Sequence, residues 1–218
     1  TKILTGLLTI ENCNLSDTLT FSTAAANSIN PIEDANLGMK AGEELTVEQA
    51  LYALLLYSAN EVAYALAEKV AGSIDAFVDM MNEKAKELGM ENTHFMNTNG
   101  LDEDDHYSSA RDVAIMSREL MKHETIFNYT SIWMDTLRGG KFQLANTNKL
   151  IRFYDGANGL KTGSTSKALC CLSAAAKRND MQLIAVVLGA PTSAERFASA
   201  KSLLDLSLIH ISEPTRPL

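Results

Sequence analysis

Apolar residues recur at helical spacing through the first 120 or so positions, and the pattern then changes to strands. Ile3, Leu4, Leu7 and Leu8 form one helical stripe over residues 1–12. Residues 13–45 are rich in Asn, Ser, Thr and Gly and read as loops and short strands. Thr46 and Gln49 make a capping box, a hydroxyl at the N-cap answered by an amide three residues on, which opens a helix from Val47 to Tyr57. That helix is apolar nearly all round and should be buried. A second runs from about Glu61 to Val70 and stops at Gly72. Ser73 caps a third, whose stripe is Ile74, Phe77, Val78, Met81, Ala85 and Leu88, with Gly89 after it. Ser109 and Asp112 start a fourth, running through Leu120, with Lys122 and His123 suited to its negative end.

Beyond this point Ile132–Leu137, Gly139-Gly140 and Lys141–Leu144 read as a hairpin around a glycine turn. Leu160–Gly163 is a short strand, and Ala168–Ala176 and Gln182–Leu188 are two longer ones. Thr192 and Glu195 form a capping box for a last helix, Ser193 to about Leu206. Helices first and an antiparallel meander afterwards make the fold class α+β. Residues 1–206 form one domain. The tail, 207–218, holds two prolines and breaks the helical pattern, so it reads as non-native.

The formal net charge of −8 argues against a nucleic-acid partner, which needs clustered Lys and Arg. The longest apolar run, Ala50–Tyr57, falls short of the roughly 20 residues of a membrane span. Thr1 opens directly into helix-like sequence, with no basic lead or cleavage site of a signal peptide. Cys13, Cys170 and Cys171 are too few for a disulfide framework and read as small buried apolar residues. The four histidines show no ligand spacing, and neither a metal nor another cofactor is expected.

Three segments carry candidate chemistry. Lys161-Thr162-Gly163, followed by Ser164, sits on a strand and offers a cation, a hydroxyl and room for a substrate backbone. Ser58-Ala59-Asn60 joins two helices; Ser58 with Glu61 also matches a capping box, and Asn60 is a good N-cap. Lys2 alone would pass for a solvated terminal lysine. Together and in this order, the three resemble the S-x-x-K, S-x-N and K-T-G set of penicillin-binding proteins and class A β-lactamases. Thr1-Lys2 stands for the end of the first motif, in the form Ser-Leu-Thr-Lys.

The intervening text is more specific. The stretches 41–47 (AGEELTV), 54–61 (LLLYSANE), 97–101 (NTNGL), 106–112 (HYSSARD), 158–163 (NGLKTG) and 183–189 (LIAVVLG) resemble the serine-type D-alanyl-D-alanine carboxypeptidases, the low-molecular-mass penicillin-binding proteins. The resemblance runs over roughly 1–206. It implies a transpeptidase-like domain, with an antiparallel sheet flanked by helices and a helical subdomain. The implied partners are peptidoglycan stem peptides ending in D-Ala-D-Ala and β-lactam antibiotics, at an extracytoplasmic location.

The resemblance also implies roles. The nucleophilic serine falls two positions before Thr1, so the 218 residues alone are expected to be inactive, and strands before the first motif are expected to be missing. Lys2 is the base, one helical turn from that serine, with Lys161 as the cation that lowers its pKa. Ser58 relays a proton to the leaving amine, and Asn60 bonds the substrate amide. Lys161 and Thr162 hold the anionic end, Gly163 leaves room beside the strand, and the Ser164 N–H forms half of the oxyanion hole. Arg196, otherwise an ordinary helix-surface arginine, would bind the terminal carboxylate. The alternatives are a class A-type β-lactamase and a non-catalytic peptidoglycan- or penicillin-binding module.

Overall fold

The structure, a computed structural model, describes residues 1–140 and 142–209, with side chains as far as Leu206. Lys141 of the expected hairpin, and all of the expected tail beyond Ile209, lie outside the described residues.

Helix α1, Lys2–Asn12, runs through the middle of the molecule, and every residue from Lys2 to Thr9 is buried. Burial all round explains the lack of a polar face in its first two turns. A two-stranded antiparallel ribbon follows, β1 (Thr18–Thr20) with β2 (Glu44–Thr46), and the short α2 (Thr23–Ala26) lies between them. The capping box at Thr46 forms in both directions, with Gln49 N–H on Thr46 Oγ1 at 3.1 Å and Gln49 Oε1 on Thr46 N–H at 3.0 Å. It starts α3, Val47–Tyr52, which then widens into a single π turn, Ala53–Tyr57, in place of the one continuous helix expected. No breaker residue announces the change; tertiary packing sets it. Leu54, Leu55 and Leu56 are all inserted in the core, and the Leu56 carbonyl accepts from Thr147 N–H.

Helix α4, Asn60–Ala71, ends at Gly72 in a left-handed C-cap, and α5, Ile74–Glu87, starts on the Ser73 hydroxyl. Helix α6, Ala110–Leu120, starts on Ser109 and stops short of Lys122 and His123. The short α7 (Phe127–Thr130), the hairpin β3 (Met134–Leu137) with β4 (Phe142–Ala145), and the short α8 (Leu150–Phe153) lead to the main sheet.

That sheet is antiparallel in the order β5 (Ala157–Thr165), β6 (Leu169–Arg178), β7 (Met181–Ala190). Strand alternation gives its two faces different partners. Leu172, Ala174 and Ala176 of β6 pack with Ala200 and Leu204 of α9, which spans Ser193–Ile209. Ser173, between them, turns the other way and shares a 2.8 Å hydrogen bond with Ser117 of α6. The sheet is therefore held between α6 and α9, and β5 presents its free edge to the helical part. Helices and antiparallel sheets together give the α+β fold that the residue pattern implied. All three cysteines are free thiols, half-buried rather than buried.

Candidate active site

A cleft of about 930 Å³ opens where the start of α1, the turn before α4 and the edge of β5 meet. Lys2, Ser58, Asn60, Lys161, Thr162, Gly163 and Ser164 all line it, although they come from three distant parts of the chain.

Lys2 is buried in the first turn of α1, where its ammonium donates to Asn60 Oδ1 at 2.6 Å and to the Asn99 carbonyl at 2.6 Å. Burial lowers its pKa from 10.5 to about 8, although the carboxylates of Asp34 and Glu61 pull the other way. Lys161 is also buried, and its ammonium donates to the Thr162 carbonyl at 3.0 Å. Its pKa lies well below the ordinary lysine value, through burial first and then repulsion from Lys2 and Arg196. Desolvation is thus the leading cause for both lysines, and the repulsion between them is felt at Lys161.

The Ser58–Glu61 capping box does not form. Helix α4 has Ala59 as its N-cap, with no side-chain cap bond. Ser58 closes the π turn in the left-handed region, φ 72°, which directs it to the cleft instead of to the helix start. Asn60 lies inside α4 with its amide oxygen on Lys2, and Glu61 is fully buried with Oε1 accepting from Leu37 N–H at 2.6 Å. The Asn60 N–H bonds the Ala35 carbonyl, so the turn is fixed against segment 33–39.

Thr162 is half-buried, its hydroxyl 2.5 Å from that of Thr147. Gly163 and Ser164 are exposed along β5 in register with Cys171 and Cys170. Arg196 is brought to the back of this strand, not into the cleft. It is buried, and its guanidinium donates to the carbonyls of Gly163 (3.0 Å) and Cys171 (3.2 Å) and to Ser193 Oγ (3.0 Å). Those bonds tie α9 to both strands that carry the cleft wall.

Several residues at the site had no signal of their own in the sequence. The Asn99 carbonyl, Thr147 and His106 are examples; only the matched strings around 97–101 and 106–112 pointed to two of those regions. Asp102 closes one end of the cleft, accepting from Thr165 Oγ1 (2.5 Å), Ser166 Oγ (3.0 Å) and Lys167 N–H (3.0 Å). Those bonds hold its carboxyl below the usual range. Such a contact joins residues 63 to 65 positions apart and no local pattern records it.

The sequence model of the family described as D-alanyl-D-alanine carboxypeptidase matches residues 1–192. The D-alanyl-D-alanine carboxypeptidase DacF of Bacillus subtilis is 44% identical over 215 residues, which cover 95% of this chain and 54% of DacF. The chain therefore spans about half the length of that relative. Among solved structures, the Streptomyces K15 DD-transpeptidase superposes with a TM-score of 0.88 at 29% identity, over 95% of this chain and 86% of that one. Penicillin binding protein 6B from Escherichia coli gives 0.86 at 32% identity, over 93% and 66%.

Proposed function

The chain belongs to the D-alanyl-D-alanine carboxypeptidase family, and from that premise we propose that its cleft removes the terminal D-Ala from peptidoglycan stem peptides by acyl transfer to a serine two positions before Thr1. The observation that carries this reading is the convergence of Lys2, Ser58 with Asn60, and Lys161 to Ser164 on one cleft, with the Lys2 ammonium on Asn60.

A serine hydroxyl is a weak nucleophile at its own pKa and needs an adjacent base. Lys2, one helical turn on, takes that proton in its neutral form, which the lowered pKa of about 8 makes accessible near neutral pH. The serine attacks the carbonyl of the last peptide bond. Its own N–H and that of Ser164 hold the oxyanion. The D-Ala amine leaves with a proton relayed through Ser58, and water then releases the acyl group. Asn60 bonds the substrate amide, and Gly163 leaves space for the peptide beside β5. Lys161 and Thr162 receive the terminal carboxylate. Arg196, engaged behind β5, serves the same end by holding Gly163 in place. Penicillin, which carries a carboxylate beside a strained amide, acylates the same serine. The substrate polymer places this chemistry outside the cytoplasmic membrane.

The test is a comparison of two turnovers by the protein extended upstream through that serine. D-Ala release from a peptide ending in D-Ala-D-Ala should be steady, while penicillin should acylate once and dissociate slowly. Rapid β-lactam turnover without D-Ala release would make the protein a β-lactamase. Binding of either ligand without an acyl adduct would make it a non-catalytic module.

A further inference from the structure

Thr1 and Lys2 begin α1, and the chain from Phe95 to His106 forms a cradle around that start. Lys2 Nζ bonds the Asn99 carbonyl, and Thr5 Oγ1 bonds the Thr98 carbonyl at 2.7 Å. A third contact joins side chains: Thr1 Oγ1 lies 2.7 Å from His106 Nε2. The other ring nitrogen, Nδ1, accepts from the Met96 N–H at 3.0 Å. A backbone N–H can only donate, so Nδ1 is unprotonated and the proton of the neutral ring sits on Nε2. The ring therefore donates to the Thr1 hydroxyl. Its plane is fixed by an edge contact with Phe95, centroids 5.8 Å apart at 75°. Opposite it stands Gly100, where a Cβ would fall 2.9 Å from Thr1 Oγ1 and 3.0 Å from Thr1 Cβ. Thr1 is clamped between a directed donor and a position with no space for a side chain.

We propose that His106 is a positioning residue for acylation, its Nε2–H holding Thr1 so that the first turn of α1 presents its reactive groups to the cleft. The proposal deepens the reading above, since the residue held lies between the proposed serine and Lys2. Burial first, and in the 218-residue chain the adjacent Thr1 amine second, lower the pKa of the ring and keep it in the neutral form that this bond requires. His106 touches none of the reacting atoms and acts only through Thr1.

Two measurements test it. In the 218-residue chain, nitrogen-15 NMR at neutral pH should find His106 as a single neutral tautomer, Nε2 protonated and Nδ1 accepting. A protonated ring, the other tautomer or a mixture of the two would overturn the proposal whether or not the protein is an enzyme. In the protein extended through the serine, the second-order rate of penicillin acylation should fall roughly three- to tenfold in His106→Ala and in Thr1→Val, the size of one lost hydrogen bond. The double variant should lose no more than either single one. His106→Gln places an amide N–H near Nε2 and should restore much of the rate. His106→Asn mimics only Nδ1 and should not. Rescue by Asn rather than Gln, or additive losses, would mean that His106 merely supports Met96, against the proposal. An extended wild-type protein that does not acylate would remove the proposed function, while the tautomer result still decides the clamp.

Discussion

Ser58 shows how a residue can satisfy a local rule in the sequence and not obey it in the fold. Its spacing to Glu61 is that of a cap, yet Glu61 turns to the backbone of Leu37 and Ser58 adopts φ 72° at the end of a π turn. A left-handed conformation costs a residue with a Cβ about 1–2 kcal/mol, which glycine avoids. Ser58→Gly should therefore be more stable than Ser58→Ala by about 1 kcal/mol in denaturant unfolding, while both lose carboxypeptidase activity with the hydroxyl. A Ser58→Ala protein as stable as Ser58→Gly would mean that the turn carries no such strain. Arg196 poses the converse case. The resemblance implies that it meets the substrate carboxylate; its bonds to the Gly163 and Cys171 carbonyls fit the supporting role proposed above. Arg196→Ala should slow D-Ala release and penicillin acylation by similar factors and lower the melting temperature. A loss confined to the peptide would return Arg196 to direct contact with the substrate.

Among the elements, the helices were the most legible, because caps and apolar stripes are local signals. Thr46, Ser73 and Ser109 each cap the helix expected of them. The three strands of the main sheet were recognisable but read short, while β3 was read long by two residues: β5 begins at Ala157, not Leu160, since its first residues include Asn158 and Gly159 and lack an alternating pattern. The short α2, α7 and α8 had no periodic signal at all, being one turn each. Glycines at element ends differ in what surrounds them. Gly72, the C-cap of α4, has φ +80° and open space where a Cβ would go. Gly156, just before β5, has the same φ, but a Cβ there would meet the Lys177 carbonyl oxygen at 2.5 Å. Alanine at 72 should cost only the left-handed penalty, about 1 kcal/mol. At 156 it must also displace strand backbone and should cost about 1–3 kcal/mol more. Chemical unfolding of the two variants measures the difference, and equal losses would show that the β5–β6 junction yields freely.

At the scale of the whole molecule, the site is an assembly that no single segment announces. The family resemblance picked out the three motif segments and their order, but the loop cradle at Asn99 and His106 and the Asp102 clasp depend on contacts across the chain. The same assembly leaves a pH signature. His106 is neutral in the fold down to about pH 4 but protonates near 6.5 when unfolded, so its contribution to stability is complete above 6.5 and lost as the pH falls towards 4. Lys2 acts in the same direction over a higher range: the cost of burying its charge is relieved as the pH rises from about 8 towards 10.5. Thermal stability should thus fall below pH 6.5, and His106→Gln should flatten that limb. An unchanged limb in that variant would place the acid sensitivity elsewhere.

The central claim is that this cleft serves a serine two positions before Thr1, with Lys2 as its base, and that Ser58 is not the nucleophile. Intact mass and peptide mapping after incubation with benzylpenicillin test it most directly, on the 218-residue chain and on the protein extended through that serine. The account predicts no adduct on the former, and on the latter one stoichiometric adduct at the serine two positions before Thr1, abolished by Lys2→Ala. An adduct on Ser58 in either protein, or an extended protein that stays unmodified, would contradict it.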